Sequence, residues 1–190
     1  GFTVDSAYRQ GDSHLGLPLV DFESVTGVFP PSEFQLFVAV SYARMNRVRA
    51  EKYAHAKELG YTHASYISSR CSFLTDHPVG ENCLILEDNT IQPFVRIGND
   101  VTLWSGGFIG HDAVIEDHCF LAPHVAVSGH VRIGSYSFIG LNATLRNSIT
   151  IASQSLIGAG AVIMEDTIER GVYITPRTEP HAKTSDQITP

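Results

Sequence analysis

The sequence predicts a small α/β subdomain followed by a parallel β-helix built from six-residue repeats. In the first part of the chain, apolar segments typical of strands flank one helical pattern; the second part repeats with a period of six. The composition agrees with a folded chain that buries a core. Of 190 residues, 43% are hydrophobic and 17% are charged, which excludes an intrinsically disordered protein.

Residues 1–75 are predicted to form the α/β subdomain. The helix is indicated by MNRVRAEKYAHAKELG, with Asn46 as its N-cap and Gly60 at its C-terminal end. The apolar runs before and after it predict strands, and strand–helix–strand order predicts a parallel sheet. The predicted strands are GFTVD (1–5), a short strand with a following turn or helix in LGLPLVDFESV (15–25), QLFVAVS (35–41) and YTHASYIS (61–68).

Polar residues follow two of these strands. Ligands of such sheets bind at the C-terminal ends of the strands. Asp5 follows the first strand, and Ser41 and Tyr42 end or follow the third. These three residues are therefore candidate substrate contacts, with ordinary loop residues as the alternative.

The repeat begins at Val79. All fifteen first positions of the hexads, from Val79 to Ile163 in steps of six, are Ile, Leu or Val, and eleven of the fifteen fourth positions are Asn, Asp, Gly or His. A helix has a period of 3.6 and a flat strand a period of two, so neither fits. A short strand with two inward side chains and a corner does fit, and three hexads make one coil. We predict a β-helix over residues 76–176 and a polar tail over 177–190.

The cysteines fit buried positions of this β-helix. Cys83 and Cys119 fall in one inward column two coils apart, which is roughly 9–10 Å at the usual strand spacing. The Cα atoms of a disulfide lie about 4.4–6.8 Å apart, so we predict free thiols. Buried free thiols are typical of a reducing cytoplasm, and a redox or metal role is not expected.

Charge and hydropathy exclude several classes of partner. The net charge is −7 and basic residues form no long run, so neither nucleic acid nor an anionic membrane surface is an expected partner. No apolar run approaches the roughly 18 residues of a membrane span. The N-terminus has no basic segment followed by an apolar one, so no signal peptide is expected.

The chain resembles the NeuD/PglD type of sialic-acid O-acetyltransferase and bacillosamine-type N-acetyltransferase. The resemblance lies in FVAVSYARMNRVRAEKY, GHDAVIEDHCFLAP, SGHVRIGSYSFIGLNATL and SLIGAGAVI. It implies a nucleotide-sugar-binding, partial Rossmann-like α/β subdomain, a left-handed β-helix, acetyl-CoA as co-substrate without a metal, and a homotrimer with sites between subunits. The family's opening strand, glycine-rich turn and helix are not found in this sequence, so part of the acceptor site is expected to be missing.

His111 is the candidate general base. It is followed by Asp112, and Gly129 lies one coil later, where it leaves space and a backbone N–H. A neutral imidazole takes a proton from an attacking hydroxyl or amine, a carboxylate fixes its tautomer, and an N–H stabilises the oxyanion. The family's catalytic His–acid pair aligns with His111 and Asp112 without a gap. The alternative for both residues is a structural role at a corner.

The resemblance implies donor contacts at Leu141 and Ala159, which are 18 residues apart and therefore share one corner column. It also marks a difference at Phe120, where many relatives have a second donor-contacting histidine. Phe120 can pack on pantetheine but cannot supply that hydrogen bond. The predicted cofactor contacts are therefore Phe120, Gly129, Leu141 and Ala159.

Three further histidines occupy the fourth positions of consecutive hexads. His118, His124 and His130 are expected on three different corners, where they form turns and do not converge.

The expected function is acetyl-CoA-dependent transfer to a hydroxyl or amine of a nucleotide-linked or sialic-acid-like sugar. The expected mechanism is direct attack on the thioester, because no cysteine lies at a corner near His111. Two alternatives stay open: a non-catalytic β-helix scaffold or binding protein, and a γ-type carbonic anhydrase-like metalloenzyme. The predicted lack of a convergent histidine pair argues against the second.

Overall fold

The N-terminal unit contains a three-stranded sheet and two α-helices. A computed structural model describes residues 1–184 and 187. Strand β1 (Phe2–Val4) pairs in parallel with β3 (Leu17–Asp21), and β2 (Ser13–His14) pairs with the other edge of β3 in an antiparallel ladder. The elements are β1 (Phe2–Val4), β2 (Ser13–His14), β3 (Leu17–Asp21), α1 (Val25–Val28) and α2 (Arg47–Glu58), with 3₁₀ turns at Ser6–Tyr8 and Phe22–Ser24.

The predicted strand QLFVAVS is not a strand. Its backbone makes one isolated parallel bridge, from Leu36 to His63. Further along, the N–H of Val38 donates to Asn82 Oδ1 at 2.7 Å, and Asn82 Nδ2 donates to the Val38 carbonyl at 3.4 Å. A side-chain amide of the β-helix therefore replaces the neighbouring strand that the apolar run predicts.

Helix α2 has the predicted position, but Asn46 does not cap it. Asn46 has a left-handed backbone (φ 65°), and its side chain makes no capping hydrogen bond. Its Nδ2 instead donates to the carbonyls of Tyr136 and Ser137 in the β-helix, at 3.3 and 3.1 Å. Gly60 ends the helix as predicted, with φ of +93°. The amide of Asn46 thus joins the two parts of the chain.

The second part of the chain is a parallel β-helix of two-residue strands in three sheets. Sheet 1 contains β4, β6, β9, β12, β15, β18 and β20; sheet 2 contains β5, β7, β10, β13, β16 and β19; sheet 3 contains β8, β11, β14 and β17. The strands are Tyr66–Ile67 (β4), Ser72–Phe73 (β5), Leu84–Ile85 (β6), Thr90–Ile91 (β7), Arg96–Ile97 (β8), Thr102–Leu103 (β9), Phe108–Ile109 (β10), Val114–Ile115 (β11), Phe120–Leu121 (β12), Ala126–Val127 (β13), Arg132–Ile133 (β14), Phe138–Ile139 (β15), Thr144–Leu145 (β16), Thr150–Ile151 (β17), Leu156–Ile157 (β18), Val162–Ile163 (β19) and Val172–Tyr173 (β20).

Each coil has three corners, named here by the sheets that they join. Corner I joins sheet 1 to sheet 2, as at residues 104–107; corner II joins sheet 2 to sheet 3, as at 110–113; corner III joins sheet 3 to sheet 1, as at 116–119. Residues 18 apart stack in register, for example Phe108 on Ala126. The predicted period and coil length are therefore confirmed.

The inward positions of the hexad form one core. First-position residues from Ile85 to Ile163 and fifth-position residues such as Cys83 and Ala113 are buried in it. Every fourth position from Asn82 to Gly160 has a positive φ, between +55° and +76°. This is the conformation that Asn, Asp and Gly tolerate best, which explains their frequency at the fourth position.

The β-helix begins earlier than the predicted start at residue 76. Strands β4 and β5 pair with β6 and β7, so the stacking begins at Tyr66. The same period read backwards from Val79 reaches Phe73 and Ile67. The repeat was not recognised at these two positions, because Phe73 is aromatic and the residues around Ile67 and Phe73 are mostly polar.

The three cysteines are free thiols, and Cys83 and Cys119 are fully buried. Among residues 1–184 and 187, no helix has the length and apolar character that a membrane span requires.

Candidate active site

His111 and Asp112 form a hydrogen-bonded pair on corner II. Nδ1 of His111 lies 2.9 Å from Asp112 Oδ2, and both side chains are exposed. The N–H of His111 donates to Gln92 Oε1 at 3.2 Å, and the N–H of Asp112 donates to the Pro93 carbonyl at 3.1 Å. Two hydrogen bonds to the preceding coil therefore hold the backbone of the pair.

Gly129 lies directly over the Nε2 side of the His111 ring, opposite the Nδ1 that faces Asp112. A Cβ at residue 129 would lie 2.8 Å from His111 Nε2. Any other residue would displace the imidazole, so this glycine is required by a close approach. Nε2 of His111 faces the open space that the missing side chain leaves.

His130 joins this pair, which the sequence did not predict. Its Nε2 lies 4.0 Å from Asp112 Oδ2, and its ring meets that of His111 edge-on, with centroids 4.9 Å apart. The expected lack of convergence concerned His118, His124 and His130, and it did not include the pairing of His130 with His111. The signal was present, because residue 130 is one coil of 18 after residue 112.

His118, His124 and His130 do lie on three different corners with positive φ, as expected for turn residues. His118 is also paired with an acid one coil below, since its Nδ1 lies 2.8 Å from Asp100 Oδ2. That acid is fully buried beside Arg49, so this second His–Asp pair belongs to the junction between the two parts of the chain.

Leu141 and Ala159 occupy one exposed column on corner I. The N–H of Gly160 donates to the Leu141 carbonyl at 2.8 Å, which stacks the two coils. Both side chains are exposed, so this edge is open to a ligand. Corner I is not the corner that carries His111, and one chain therefore does not bring these candidates together with that histidine.

Phe120 lies in a different environment from the one expected. It is 4% exposed, because Tyr42 covers it edge-on at 5.0 Å and Phe138 stacks on it at 5.5 Å. Its ring is an anchor for the α/β subdomain on sheet 1, where apolar area is removed from water. The expected contact of Phe120 with pantetheine is therefore not open in the single chain.

The three candidate substrate-binding residues lie in two separate places. Asp5 Oδ1 accepts a hydrogen bond from Lys52 Nζ of helix α2 at 2.5 Å. Tyr42 is half exposed beside Phe120 and Phe138, and Ser41 is exposed next to it. The structure thus joins Tyr42 to the predicted cofactor contact Phe120, and it joins Asp5 to the helix.

The thiols are unsuited to covalent catalysis. Burial raises the pKa of Cys119 to about 12 and that of Cys83 to about 11. A thiol is nucleophilic only as the thiolate, so neither residue can form an acyl-enzyme near neutral pH.

The outward faces of the three sheets differ in character. The α/β subdomain contacts sheet 1 through Tyr42, and sheet 3 carries Arg96 and the ion pair of Arg132 with Glu116. Sheet 2 carries no charge at its outward positions, which are Ser72, Thr90, Phe108, Ala126, Thr144 and Val162. Phe108 and Val162 on this face are 41% and 61% exposed. Corners I and II border sheet 2.

Comparison with known proteins confirms the predicted resemblance and the predicted fold class. The family described as hexapeptide repeat of succinyl-transferase matches residues 130–165. An acyl-[acyl-carrier-protein]–UDP-N-acetylglucosamine O-acyltransferase of Stutzerimonas stutzeri is 29% identical over 93 residues, which are 48% of this chain and 36% of that protein. Its counterpart in Burkholderia lata is 25% identical over 106 residues, 49% of this chain and 40% of that protein. The chain therefore spans less than half the length of these relatives.

Two solved structures share the fold over most of the chain. A variant of perosamine N-acetyltransferase from Caulobacter crescentus, in complex with CoA and GDP-perosamine, has a TM-score of 0.80 at 23% identity and covers 90% of this chain and 80% of its own. The acetyltransferase domain of PglB from Neisseria gonorrhoeae, in complex with acetyl coenzyme A, has a TM-score of 0.76 at 25% identity and covers 92% and 83%. The shared architecture is an α/β unit followed by a left-handed hexapeptide-repeat β-helix.

Proposed function

We propose that this chain, which carries hexapeptide repeats and has the fold of known sugar acetyltransferases, transfers an acetyl group from acetyl-CoA to a hydroxyl or amine of a sugar. The single observation that carries the proposal is the His111–Asp112 pair beneath Gly129. The curated relatives are O-acyltransferases and the structural neighbours N-acetyltransferases, so the proposal includes both acceptor atoms.

In the proposed mechanism His111 is the general base. Its Nδ1–H donates to the Asp112 carboxylate, which leaves the Nε2 lone pair free to accept a proton. The acceptor oxygen or nitrogen gives its proton to Nε2 as it attacks the thioester carbonyl. The C–S bond then breaks, and the imidazolium returns the proton to the leaving thiolate of CoA. No acyl-enzyme forms.

Gly129 has two proposed roles. It leaves room for the imidazole, and its N–H stabilises the oxyanion of the tetrahedral intermediate. Within residues 1–184 and 187 this N–H donates to no protein acceptor, so it is available. Leu141 and Ala159 are the proposed pantetheine contacts, where exposed backbone groups of corner I face an extended chain.

The proposed assembly is a homotrimer with the sites between subunits. In one chain the base lies on corner II and the donor contacts on corner I, on opposite borders of sheet 2. If the uncharged, partly apolar sheet 2 of each copy faces a three-fold axis, corner II of one copy approaches corner I of the next. The same packing buries the exposed apolar side chains and completes each site.

Residues 1–75 are the proposed acceptor subdomain, with Asp5, Ser41 and Tyr42 as contacts of a nucleotide-linked or sialic-acid-like sugar. Residues 76–176 are the proposed transferase part, to which the structure adds coils from Tyr66 onwards. Residues 177–190 are the proposed tail. A cytoplasmic location is proposed from the free cysteines.

The test is acetyl transfer from acetyl-CoA to a panel of amino- and hydroxy-sugars and their nucleotide forms. Acceptor-dependent transfer is expected for the wild type, with a loss of at least about a hundredfold in His111→Ala. His124→Ala is the control, because both histidines lie at corners, and within the part of the chain that the structure describes the histidines near an acid are His63, His111, His118 and His130. Equal rates in wild type and His111→Ala would remove His111 as the base. No transfer together with no binding of acetyl-CoA would favour the scaffold alternative.

A further inference from the structure

The corner II cluster has the composition of a metal site. His111, Asp112 and His130 each offer one ligand atom, and these atoms lie within 4.8 Å of one another. Two imidazoles and one carboxylate form a ligand set that suits Zn²⁺ and neighbouring divalent ions. Within residues 1–184 and 187, no other group of three His, Cys, Asp or Glu side chains is arranged in this way.

The spacing fits an ion between the three atoms. His111 Nδ1 and His130 Nε2 lie 2.9 and 4.0 Å from the same oxygen of Asp112. Donor atoms on tetrahedral Zn²⁺, with bonds of about 2.0–2.2 Å, are about 3.4 Å apart. The two measured distances lie on either side of this value and change by about half an ångström to reach it, and the remaining pair of ligand atoms, within 4.8 Å, closes by at most about 1.4 Å. Side-chain rotations at these exposed residues can supply both movements.

The backbone positions of the ligands are fixed by the coils. Asp112 and His130 have φ of +58° and +59°, and the N–H of His130 donates to the His111 carbonyl at 2.9 Å. The Cα positions of the ligands are therefore set before any ion binds, and only side chains need to order. A site prepared in this way binds at a lower cost in conformational entropy.

We propose that His111, Asp112 and His130 bind a divalent transition-metal ion such as Zn²⁺, and that the bound ion stops acyl transfer. The first part of the proposal, metal binding (the binding half), is argued from geometry alone. The second part, inhibition of acyl transfer (the inhibitory half), rests on the proposed function. An ion on Nδ1 takes the place of the hydrogen bond to Asp112, so the one proton of the neutral imidazole moves to Nε2. Nε2 is then a donor and cannot accept the proton of the acceptor sugar.

Binding is tested by titrating Zn²⁺ into metal-stripped full-length protein in a calorimeter. We expect one ion per chain for the wild type and for His124→Asn, and at least about tenfold weaker binding for His130→Asn. The two variants are matched, because both histidines have φ near +58° and Asn tolerates that conformation. His130→Asn also keeps the His111–Asp112 pair. Equal affinities in all three proteins would overturn the site.

Inhibition is tested on the same three proteins, each compared with its own metal-free rate. The acetylated sugar is measured directly, because the thiol of released CoA itself binds Zn²⁺. We expect loaded wild type and His124→Asn to lose about a hundredfold in rate, which EDTA restores, and His130→Asn to resist at that concentration. Equal inhibition of His130→Asn would overturn the inhibitory half.

The two proposals fail separately. A metal-free wild type that acetylates no acceptor contradicts the proposed function, and the inhibitory half falls with it. The calorimetric comparison of His130→Asn with His124→Asn still decides whether the site exists.

Discussion

At the scale of single residues, position in the hexad decides whether a polar side chain is structural or available for chemistry. His111 is at the third position and points away from the core, whereas the neighbouring fourth positions must adopt a positive φ. Asp112 has both roles: it adopts the positive φ that the corner requires, and it accepts the hydrogen bond of His111. A residue that a turn requires can therefore also orient a neighbouring imidazole.

The Gly129→Ala substitution should reduce acetyl transfer by about a hundredfold, the size of effect that a misplacement of about 1 Å produces. The added Cβ would lie 2.8 Å from His111 Nε2 and push the imidazole off Asp112. The free energy of unfolding should change by about 1 kcal/mol or less, because the His111 side chain is exposed and can move. Steady-state kinetics and urea unfolding measure both quantities.

Gly27→Ala is the control for that comparison, since a Cβ there meets nothing within 4 Å. A wild-type transfer rate in Gly129→Ala would show that the observed position of the His111 ring is not needed.

At the scale of elements, helix α2 joins the two parts of the chain through polar contacts more than through an apolar face. Arg49 and Asp100 are 2% and 0% exposed, with Nε and Oδ1 2.9 Å apart. Arg49 also donates to the carbonyls of Asp100 and Cys119, and Asn82 donates to Asp100 at 2.7 Å. The pair is therefore both buried and hydrogen-bonded, the condition under which removal of one partner is costly.

Arg49→Met should lower the free energy of unfolding by about 3–5 kcal/mol, because it leaves the Asp100 carboxylate buried without its counter-charge. Urea unfolding of the full chain measures the loss. The control is Arg47→Met on the same helix, where an exposed side chain bonds Gln154 and lies over Tyr136, and where about 1 kcal/mol or less is expected. Adding Asp100→Asn to Arg49→Met should cost less than the sum of the single changes. An additive result would contradict the pairing.

Stability should also depend on pH through His63 at the same junction. Burial lowers the pKa of His63 below its ordinary value; Lys57 lowers it further, and Glu81 and Asp100 oppose the shift. Below about pH 6.5, the ordinary pKa of histidine, the unfolded chain binds a proton at His63 that the folded chain does not. The free energy of unfolding therefore decreases as the pH is lowered below this value, and the contribution of His63 is fully present above it.

His63→Phe should remove this part of the pH dependence, because Phe keeps the stacking on Tyr53, whose ring lies 4.4 Å away, and cannot titrate. Urea midpoints at about pH 5.5 and 7.5 measure the change. His181→Phe, at an exposed position, is the control and should keep the wild-type difference. An undiminished difference in His63→Phe would assign the pH dependence to other groups.

At the scale of the whole molecule, the triangular section gives the chain three faces with different uses. Sheet 1 carries the α/β subdomain, and sheet 3 carries charge. Sheet 2 presents Phe108 and Val162 between corner II, with the proposed base, and corner I, with the proposed donor contacts. A single chain therefore contains the parts of the proposed site without assembling them, and assembly and activity should be lost together.

Phe108→Asp should convert the proposed trimer into monomers and reduce transfer at least about tenfold, since a buried unpaired carboxylate opposes association. Light scattering and the acetylation assay measure both effects. Leu15→Asp is the control, because Leu15 is 82% exposed in the N-terminal unit and its φ of +49° suits Asp. A wild type that is already monomeric would contradict the proposed assembly.

Most of the β-helix could be predicted because its contacts are periodic. A six-residue pattern fixes which residues point inward, and stacking at 18 residues follows from three hexads per coil, so Val79 to Ile163 needed no further information. The resemblance added the handedness and the alignment of His111 and Asp112 with a catalytic His–acid pair. The coil that begins at Tyr66 was not predicted. Phe73 and its polar neighbours follow the six-residue period, but they lack the aliphatic and small residues that mark the other hexads.

The repeat, the corners, helix α2 and the buried cysteines follow from the order of the amino acids alone, since each depends on local conformation or on a fixed period. The contact of His130 with Asp112 also follows the 18-residue period, although the spacing alone does not orient the two side chains. The replacement of a strand partner of Val38 by Asn82 and the cover of Phe120 by Tyr42 are visible only in the folded chain. These last two contacts join residues far apart in the chain. They depend on how two separately patterned units pack, which no local pattern encodes.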